Sequence, residues 1–349
     1  MDTLSIRRRM LAGAKRSGTD YSQQYLTFEV TAGGTFGIAN ASPGNPVYYS
    51  LDGGVSWNEP SIHGDAVANA GDTILWKSND NAAQSTTTYR YFTASTGAKC
   101  KVSGNIMSLI YGNNFVGQTA LINAYQFFCL FDSFSAVTDA SNLVLSATTL
   151  TANCYRSLFY GCSNLIAAPR LPAMTLADSC YYGMFNYCSS LTEAPELPAT
   201  TLAASCYCYM FYSCTNLTSA PALPATTLAG SCYNAMFRNC NSLTSAPALP
   251  ATTLATGCYA HMFRNCYYLT SAPELPATAL VSQCYNYMFH GCNSLGYIKA
   301  LFTTTPSTSY TSNWVGNVAA SGIFVKSSSA SWNVRGNHGV PSGWTIQTA

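Results

Sequence analysis

Charged side chains are scarce in this sequence of 349 residues, of which only 9% are Asp, Glu, Lys or Arg. The formal net charge is +2 at pH 7. Proteins that bind many nucleic-acid phosphates need a stripe of Lys and Arg, so we expect no nucleic-acid partner. No apolar run reaches the length of about 18 residues that a membrane helix needs, so we also expect no membrane span.

Motifs for catalysis are missing as well. No phosphate-cradling glycine motif is present. His261 follows Cys258 by three positions, but on a helix the two side chains would point in opposite directions, which argues against a Cys-His dyad. Glu193 and Glu196 lie on one segment, whereas a glycosidase needs two carboxylates held across a cleft. We therefore predict a non-enzymatic protein without a cofactor.

The first 20 residues lack the apolar core of a secretory signal peptide, because Met10 to Ala14 is too short and is followed by a lysine. This segment is basic, and two interpretations remain open. It is either a frayed, solvated terminus or a docking peptide that inserts into a larger assembly. The residues of the predicted anchor are Arg7, Arg8, Arg9, Lys15 and Arg16.

Cysteine, in contrast, is abundant and placed at a fixed period. Twelve of the 15 cysteines form two columns in which successive members are 26 residues apart. This period lies in the range of leucine-rich repeats. The first column is Cys154, Cys180, Cys206, Cys232, Cys258 and Cys284, and the second is Cys162, Cys188, Cys214, Cys240, Cys266 and Cys292.

Each repeat has an apolar pattern between its two cysteines. Cys, Tyr, Met, Phe and Cys occupy positions 0, 1, 4, 5 and 8, with Leu158 in place of Met in the first repeat. At about 100° per residue these side chains fall within an arc of roughly 140°, which predicts an amphipathic α-helix. The Leu-Thr-x-Ala-Pro-x-Leu-Pro segment that follows predicts a short strand ended by proline. Neither element can bury its apolar side alone, so the repeats should stack.

The cysteines are predicted to be buried, structural thiols. Eight residues of helix separate the two cysteines of a repeat by about 12 Å, whereas a disulfide needs Cα atoms within roughly 7 Å. Neighbouring helices at about 8 to 10 Å are also too far apart. The spacing does not bring two ligands onto one zinc ion, so no metal is expected. Such thiols persist most easily in a reducing compartment.

The string CYxxMFxxCxxLTxAPxLPATTL, most nearly intact in 206–228 and 232–254, resembles the BspA-like class of bacterial leucine-rich repeats. The resemblance covers about 124–301. It implies a right-handed solenoid that recognises a partner surface and does not catalyse a reaction. The lack of a signal peptide sets the chain apart from the cell-surface adhesins of that class.

The flanking regions follow other patterns. Residues 21–104 contain short β-rich runs divided by Gly, Asn, Asp and Pro, which is typical of an antiparallel sandwich. Within them, 50–57 fits the S-x-D-x-G-x-[ST]-W Asp-box and resembles sialidase-propeller hairpins, where it is a turn device with Trp57 packed beneath. After Phe302 the repeat register is lost, and aromatic residues there suit a closing cap.

The predicted fold class is α+β: an N-terminal antiparallel β-sandwich, then a right-handed leucine-rich-repeat (α/β) solenoid with a C-terminal cap. The expected divisions are a basic anchor segment in 1–20, the sandwich in 21–104, a linker and degenerate first repeat in 105–150, the repeats in 151–301 and the cap in 302–349.

The outward positions of the predicted helices vary between repeats. Aromatic, Arg, Asn and His side chains on a fixed frame are similar in make-up to a paratope, although a helix also needs polar residues on its outside. The candidate binding residues are Arg156, Tyr160, Tyr182, Tyr187, Tyr209, Tyr212, Asn234, Arg238, His261, Arg264, Tyr287 and His290.

These patterns favour a phage virion component, such as a tail or fibre protein, that recognises a host surface or another virion protein. We expect a protein or surface-glycan partner, contacts with other virion proteins through the N-terminal segment, and location in the virion; a homo-oligomer stays open. The alternative is a bacterial cell-surface adhesin that binds host glycoprotein or polysaccharide. A carbohydrate-active enzyme built on the Asp-box region ranks lowest.

Overall fold

The computed structural model describes residues 19–39, 46–59, 66–79 and 90–349. In these residues strand makes up 23% and helix only 5%. The helices are α1 (Ser108–Tyr111) and α2 (Thr308–Thr311), with 3-10 turns at Tyr21–Gln23 and Gly112–Asn114. The strands are β1 (Leu26–Ala32), β2 (Gly34–Ala39), β3 (Val47–Ser50), β4 (Ala66–Ala68), β5 (Thr73–Ser78), β6 (Tyr91–Ala94), β7 (Lys99–Asn105), β8 (Val137–Val144), β9 (Tyr297–Ala300), β10 (Ile323–Lys326) and β11 (Thr345–Thr348).

Two sheets occupy the N-terminal region and loosely resemble the predicted β-sandwich. One has the strand order β3-β5-β1-β7-β8 and the other the order β4-β2-β6. Alternate residues of β5 are buried, as expected for a sheet with one face on a core. The rings of Phe28, Trp76 and Phe92 meet in that core at centroid distances of 4.8 to 5.5 Å.

The edge strand β8 joins this region to the repeats. It pairs with β7 in parallel, from Cys100 opposite Val137 to Asn105 opposite Val144, whereas the other pairs of the N-terminal sheets are antiparallel. Parallel pairing requires a crossover connection, here supplied by 106–136. The N-terminal sheet and the first repeat therefore share one hydrogen-bonded unit.

The predicted α/β leucine-rich-repeat solenoid is wrong. The stretch between the two cysteines of each repeat, here called the turn segment, contains no helix, and no sheet in the described residues is closed or wound into a solenoid. The predicted strand is reduced to isolated bridges, such as Glu193 with Ser219 and Ser219 with Ser245. Proline lacks an N–H group, so the nearby prolines keep these bridges from extending into strands.

Successive turn segments are joined by an alternating hydrogen-bond pattern. The amide of Tyr207 donates to the carbonyl of Cys232 in the next repeat at 3.0 Å, and the amide of Cys208 donates back to Ser205 at 3.2 Å. This alternation recurs from residue 125 to residue 316, a region called the repeat stack below. Backbone groups that a helix would satisfy internally thus bind the neighbouring repeat.

Every fourth residue, counted from the one just before the first cysteine of the repeat, has left-handed backbone torsions. In one repeat these residues are Ser205, Tyr209 and Ser213, with φ of 53°, 57° and 58°. Such a conformation costs about 1–2 kcal/mol per residue for non-glycine residues and cannot occur inside an α-helix. It gives the segment a period of four residues. Positions 0, 1, 4, 5 and 8 therefore all face the core, as they would on a helix, and this explains why the apolar pattern suggested one.

The core of the repeat stack is built from two columns of parallel rings. Adjacent tyrosines, from Tyr155 to Tyr285, lie 5.8 to 6.0 Å apart with interplanar angles of 9° or less. Adjacent phenylalanines, from Phe131 to Phe289, lie 5.0 to 5.7 Å apart. These spacings are well below the 8–10 Å that packed helices require.

The last repeat is covered by the C-terminal region. There β9, β10 and β11 form a parallel sheet of three strands. Trp314 lies over the end of the tyrosine column, 6.1 Å from Tyr285, and its indole N–H donates to the carbonyl of Gly339 at 2.9 Å. The final apolar face is thus shielded from water. None of the described helices is long and apolar enough to cross a membrane.

Candidate binding surface

The twelve predicted binding residues lie along one side of the repeat stack, and we call them the outer strip. They occupy outward positions of the turn segments, where the period of four directs side chains away from the ring columns. Tyr187 is 45% exposed and the other eleven are half-buried. Several of these side chains contact one another.

Five tyrosines of the outer strip form a connected group, called the tyrosine cluster. Centroid distances are 5.6 Å from Tyr160 to Tyr187, 5.4 Å from Tyr187 to Tyr212, 5.6 Å from Tyr212 to Tyr209 and 5.6 Å from Tyr209 to Tyr182. The ring pairs are tilted or edge-to-face, which are favoured aromatic geometries. The cluster spans three repeats and presents a surface of ring edges and hydroxyl groups.

Arg156 closes one end of the tyrosine cluster. Its guanidinium lies 4.2 Å from the centroid of Tyr182 and donates to the side-chain oxygen of Asn153 at 3.2 Å. This arginine is therefore held by a cation–π contact and a hydrogen bond.

The other end of the outer strip carries two arginines and two histidines, called the cationic cluster: Arg238, His261, Arg264 and His290. Arg264 lies 5.2 Å from the ring centroid of Tyr287. The imidazole of His261 stacks on the same ring at 5.0 Å, and that of His290 meets it edge-on at 5.7 Å. Tyr287 is thus the centre around which three of these side chains are arranged.

The pKa values of the two histidines in the cationic cluster are lowered. Burial lowers the pKa of His261 to about 4, with further lowering by Arg238, Arg264 and His290. The pKa of His290 is also lowered, mainly by burial and then by Arg264. Both imidazoles are therefore neutral at pH 7. Within the described residues the only ion pair joins Lys299 to Glu274, away from this cluster.

A row of asparagines beside the outer strip was not anticipated from the sequence. The amide of Asn265 donates to the side-chain oxygen of Asn239 at 3.0 Å, and that of Asn239 donates to the hydroxyl of Ser213 at 3.2 Å. All three residues have positive φ, between 58° and 63°. Asparagine tolerates this conformation, and its recurrence here is the signal that could have revealed the row. Asn234, the remaining predicted residue, lies next to the cationic cluster in sequence and is half-buried.

All 15 cysteines are buried, and the twelve of the two columns are free thiols. The second column has a role beyond filling space, because its thiols donate to phenylalanine carbonyls one repeat back. Cys188 reaches Phe159 at 3.1 Å and Cys214 reaches Phe185 at 3.1 Å. Burial raises the pKa of these thiols, which keeps them protonated and unreactive. No group of three His, Cys, Asp or Glu residues in the described ranges could hold a metal ion.

The Asp-box lies in the N-terminal region, outside the repeat stack. In the Asp-box the carboxylate of Asp52 accepts from the amides of Val55 and Ser56 at 3.1 and 3.0 Å, and the pKa of this carboxyl is lowered chiefly by its bond to the Ser56 hydroxyl. The indole N–H of Trp57 donates to Gly54 at 3.1 Å, so the motif organises a turn. The predicted anchor residues lie outside the described residues.

No protein-family model matches the chain, and no curated protein matches it. The resemblance to BspA-like repeats therefore stays a prediction, and the function has to be inferred from the outer strip itself.

Proposed function

We propose that this chain is a non-enzymatic recognition protein that binds a partner protein or surface glycan through the outer strip, as a tail or fibre component of a phage virion. The observation that carries the proposal is the contrast within each turn segment. Inward positions repeat almost unchanged, while outward positions bring a different set of aromatic and basic side chains in each repeat.

The frame beneath the outer strip supports a binding role because it is rigid. Amides such as Tyr209 N and Phe211 N donate to the next repeat at 2.9 Å, and the ring columns fix the side chains below. Side chains held in place before contact lose little conformational freedom on binding. Tyrosine adds a large contact area for the loss of only two side-chain torsions.

The chemistry of the outer strip does not favour catalysis. Its imidazoles are held neutral without a neighbouring carboxylate to orient them. The thiols could act as nucleophiles, but they are buried and their pKa values are raised. A binding function uses the same residues without requiring proton transfer.

The free thiols support folding in a reducing cytoplasm, as occurs when virion proteins assemble inside a host cell. In this proposal the basic segment containing Arg7, Arg8 and Arg9 docks into the particle, and the repeat stack faces outward. Antibody labelling of purified virions in electron micrographs tests this placement. A pool of the protein on the surface of uninfected cells would instead assign it to the adhesins.

The binding role is tested by measuring adhesion of the purified full chain to a panel of bacterial cells and immobilised cell-surface glycans. Replacing both Tyr187 and Tyr212 by alanine should lower the affinity at least about tenfold, because the centre of the tyrosine cluster is removed. The matched control is Tyr268→Ala, which removes a 62% exposed tyrosine outside the strip and should change little. Equal binding by all three proteins, with unchanged circular dichroism, would reject the outer strip as the binding surface.

A further inference from the structure

The cationic cluster brings the positive charges of Arg238 and Arg264 together without a counter-charge. Beyond the effect of burial, Arg238 lowers the pKa values of His261, Arg264 and His290, and no carboxylate contributes to these shifts. The guanidinium groups of Arg238 and Arg264 form no hydrogen bond or ion pair with the described residues. Arrays of like charge are unfavourable unless something of opposite sign approaches them.

The two arginines are positioned by aromatic rings alone. Arg238 lies 5.4 Å from the centroid of Tyr212, and Arg264 lies 5.2 Å from that of Tyr287. The Nε atom of each guanidinium is buried and unpaired, which leaves the terminal N–H groups as the accessible donors. The terminal N–H groups of a guanidinium form a fork that matches the oxygens of a carboxylate or sulfate.

Arg156 provides an internal contrast. It also lies over a tyrosine ring, but it already donates to Asn153 and has no second arginine or histidine beside it. The unpaired character is therefore specific to the cationic cluster and is not a general feature of basic residues on this surface.

We propose that the cationic cluster binds the carboxylate or sulfate group of an acidic glycan, with Arg238 and Arg264 as the principal donors and Tyr287 as the adjoining ring. This inference rests on the proposed recognition function of the outer strip and names the chemical class of its partner.

A glycan fits this surface better than an acidic peptide. A bound peptide needs partners for its own main-chain N–H and C=O groups, usually at a free strand edge. Here the outward backbone is already engaged, because His261 N and Asn265 N donate to the next repeat at 2.7 and 2.8 Å. Side-chain amides and tyrosine hydroxyls are what remain, and these suit the hydroxyl groups of a sugar.

Binding is tested by isothermal titration of the full chain with sulfated dextran oligosaccharides, oligogalacturonate, neutral dextran and poly-glutamate. We expect binding to one or both acidic glycans that weakens with added salt, and none to neutral dextran. The double substitution Arg238→Gln and Arg264→Gln should lower the affinity at least about tenfold. The control Arg156→Gln should keep the affinity within about twofold, since this arginine is outside the cluster.

Three outcomes would overturn the inference: no binding of either acidic glycan, equal loss in the control and double variants, or equally tight binding of poly-glutamate. The cell-adhesion assay separates this failure from that of the proposed function. If adhesion still depends on Tyr187 and Tyr212 while acidic glycans do not bind, recognition stands and only its anionic partner is rejected. If acidic glycans bind but adhesion ignores the tyrosines, the proposed function fails instead.

A second readout follows from proton linkage. Arg238, Arg264 and His290 add to the lowering of the His261 pKa by burial. A bound anion counteracts these neighbours, so it should raise the pKa of the imidazole from about 4. Affinity should therefore rise a few-fold as the pH falls from about 7 to about 5, where sulfates and sugar carboxylates are still ionised. Titration of the imidazole by NMR with and without ligand measures this directly, and an unchanged His261 pKa in the complex would place the anion elsewhere.

Discussion

The inward and outward positions of the turn segment differ in how freely they vary. Cys206, Tyr207, Met210 and Phe211 are at most 1% exposed, and their counterparts in neighbouring repeats are almost identical. The outward residue three positions after the first cysteine is Tyr209 in one repeat, and alanine and histidine in the next two. The buried face of this nine-residue segment is thus nearly constant, whereas the outward face, which carries the proposed recognition function, varies.

The largest change in stability should come from alkaline pH, which acts on the thiols of the inward face. An unfolded thiol has a pKa of about 8.5. Burial raises the pKa of Cys206, Cys232 and Cys258 to about 12. Stability is therefore fully present below about pH 8.5 and is lost as the pH rises toward 12, by about 1.4 kcal/mol per thiol per pH unit.

Because the losses from many thiols add, their sum should reach a typical free energy of unfolding, about 5–15 kcal/mol, at about pH 9 to 10. We therefore expect the protein to unfold in this pH range. Urea unfolding under reducing conditions at a series of pH values measures the slope. Replacing Cys232 by alanine should reduce that slope by one proton. An unfolding free energy that stays level over this range would contradict the buried, protonated state of the thiols.

Truncation of one ring on each face gives the next largest contrast. Phe211→Ala interrupts the phenylalanine column and should lower the free energy of unfolding by about 3–5 kcal/mol. Tyr212→Ala, one residue later, removes a half-buried ring and should have a much smaller effect, about 1 kcal/mol. Chemical denaturation of both variants checks the ratio, and comparable losses would show that the outer strip is structural.

The smallest predicted effects test the backbone conformation of the repeat, because the sign of the stability change depends on that conformation. Ser205 has positive φ, so Ser205→Gly should stabilise the protein by up to about 1 kcal/mol. Its neighbour Ala204 has no such conformation, and Ala204→Gly should destabilise by about 0.5–1 kcal/mol. In an α-helix both changes would be unfavourable. Thermal unfolding of the two variants distinguishes these cases.

The sequence predicted which residues of the repeat face the core, but not the backbone that places them there. Over nine residues, periods of 3.6 and four select the same positions 0, 1, 4, 5 and 8, so the pattern could not discriminate between them. The positions with positive φ contain Ser, Asn, Gly, Gln, Tyr, Ala, His and Cys but no Val, Ile or Thr. That exclusion of β-branched residues was a usable sign of left-handed turns.

Side-chain pairing in the outer strip was beyond what a sequence can show. The candidate residues were chosen because they vary, which does not reveal that Tyr160 meets Tyr187 while Arg264 meets Tyr287. Contacts between adjacent repeats depend on the close spacing of the stack, and the predicted helices would have placed the same side chains farther apart. The division into tyrosine and cationic clusters therefore emerged only from the structure.

The parallel pairing of β7 with β8 has a mechanical consequence. A pull on the chain ahead of β7, resisted by the repeats that follow β8, acts along both strands in opposite senses. The hydrogen bonds from Cys100 to Asn105 are then loaded together in shear, and not peeled apart in succession. Tension between the N-terminal sheets and the repeats would therefore be shared by this whole set of hydrogen bonds.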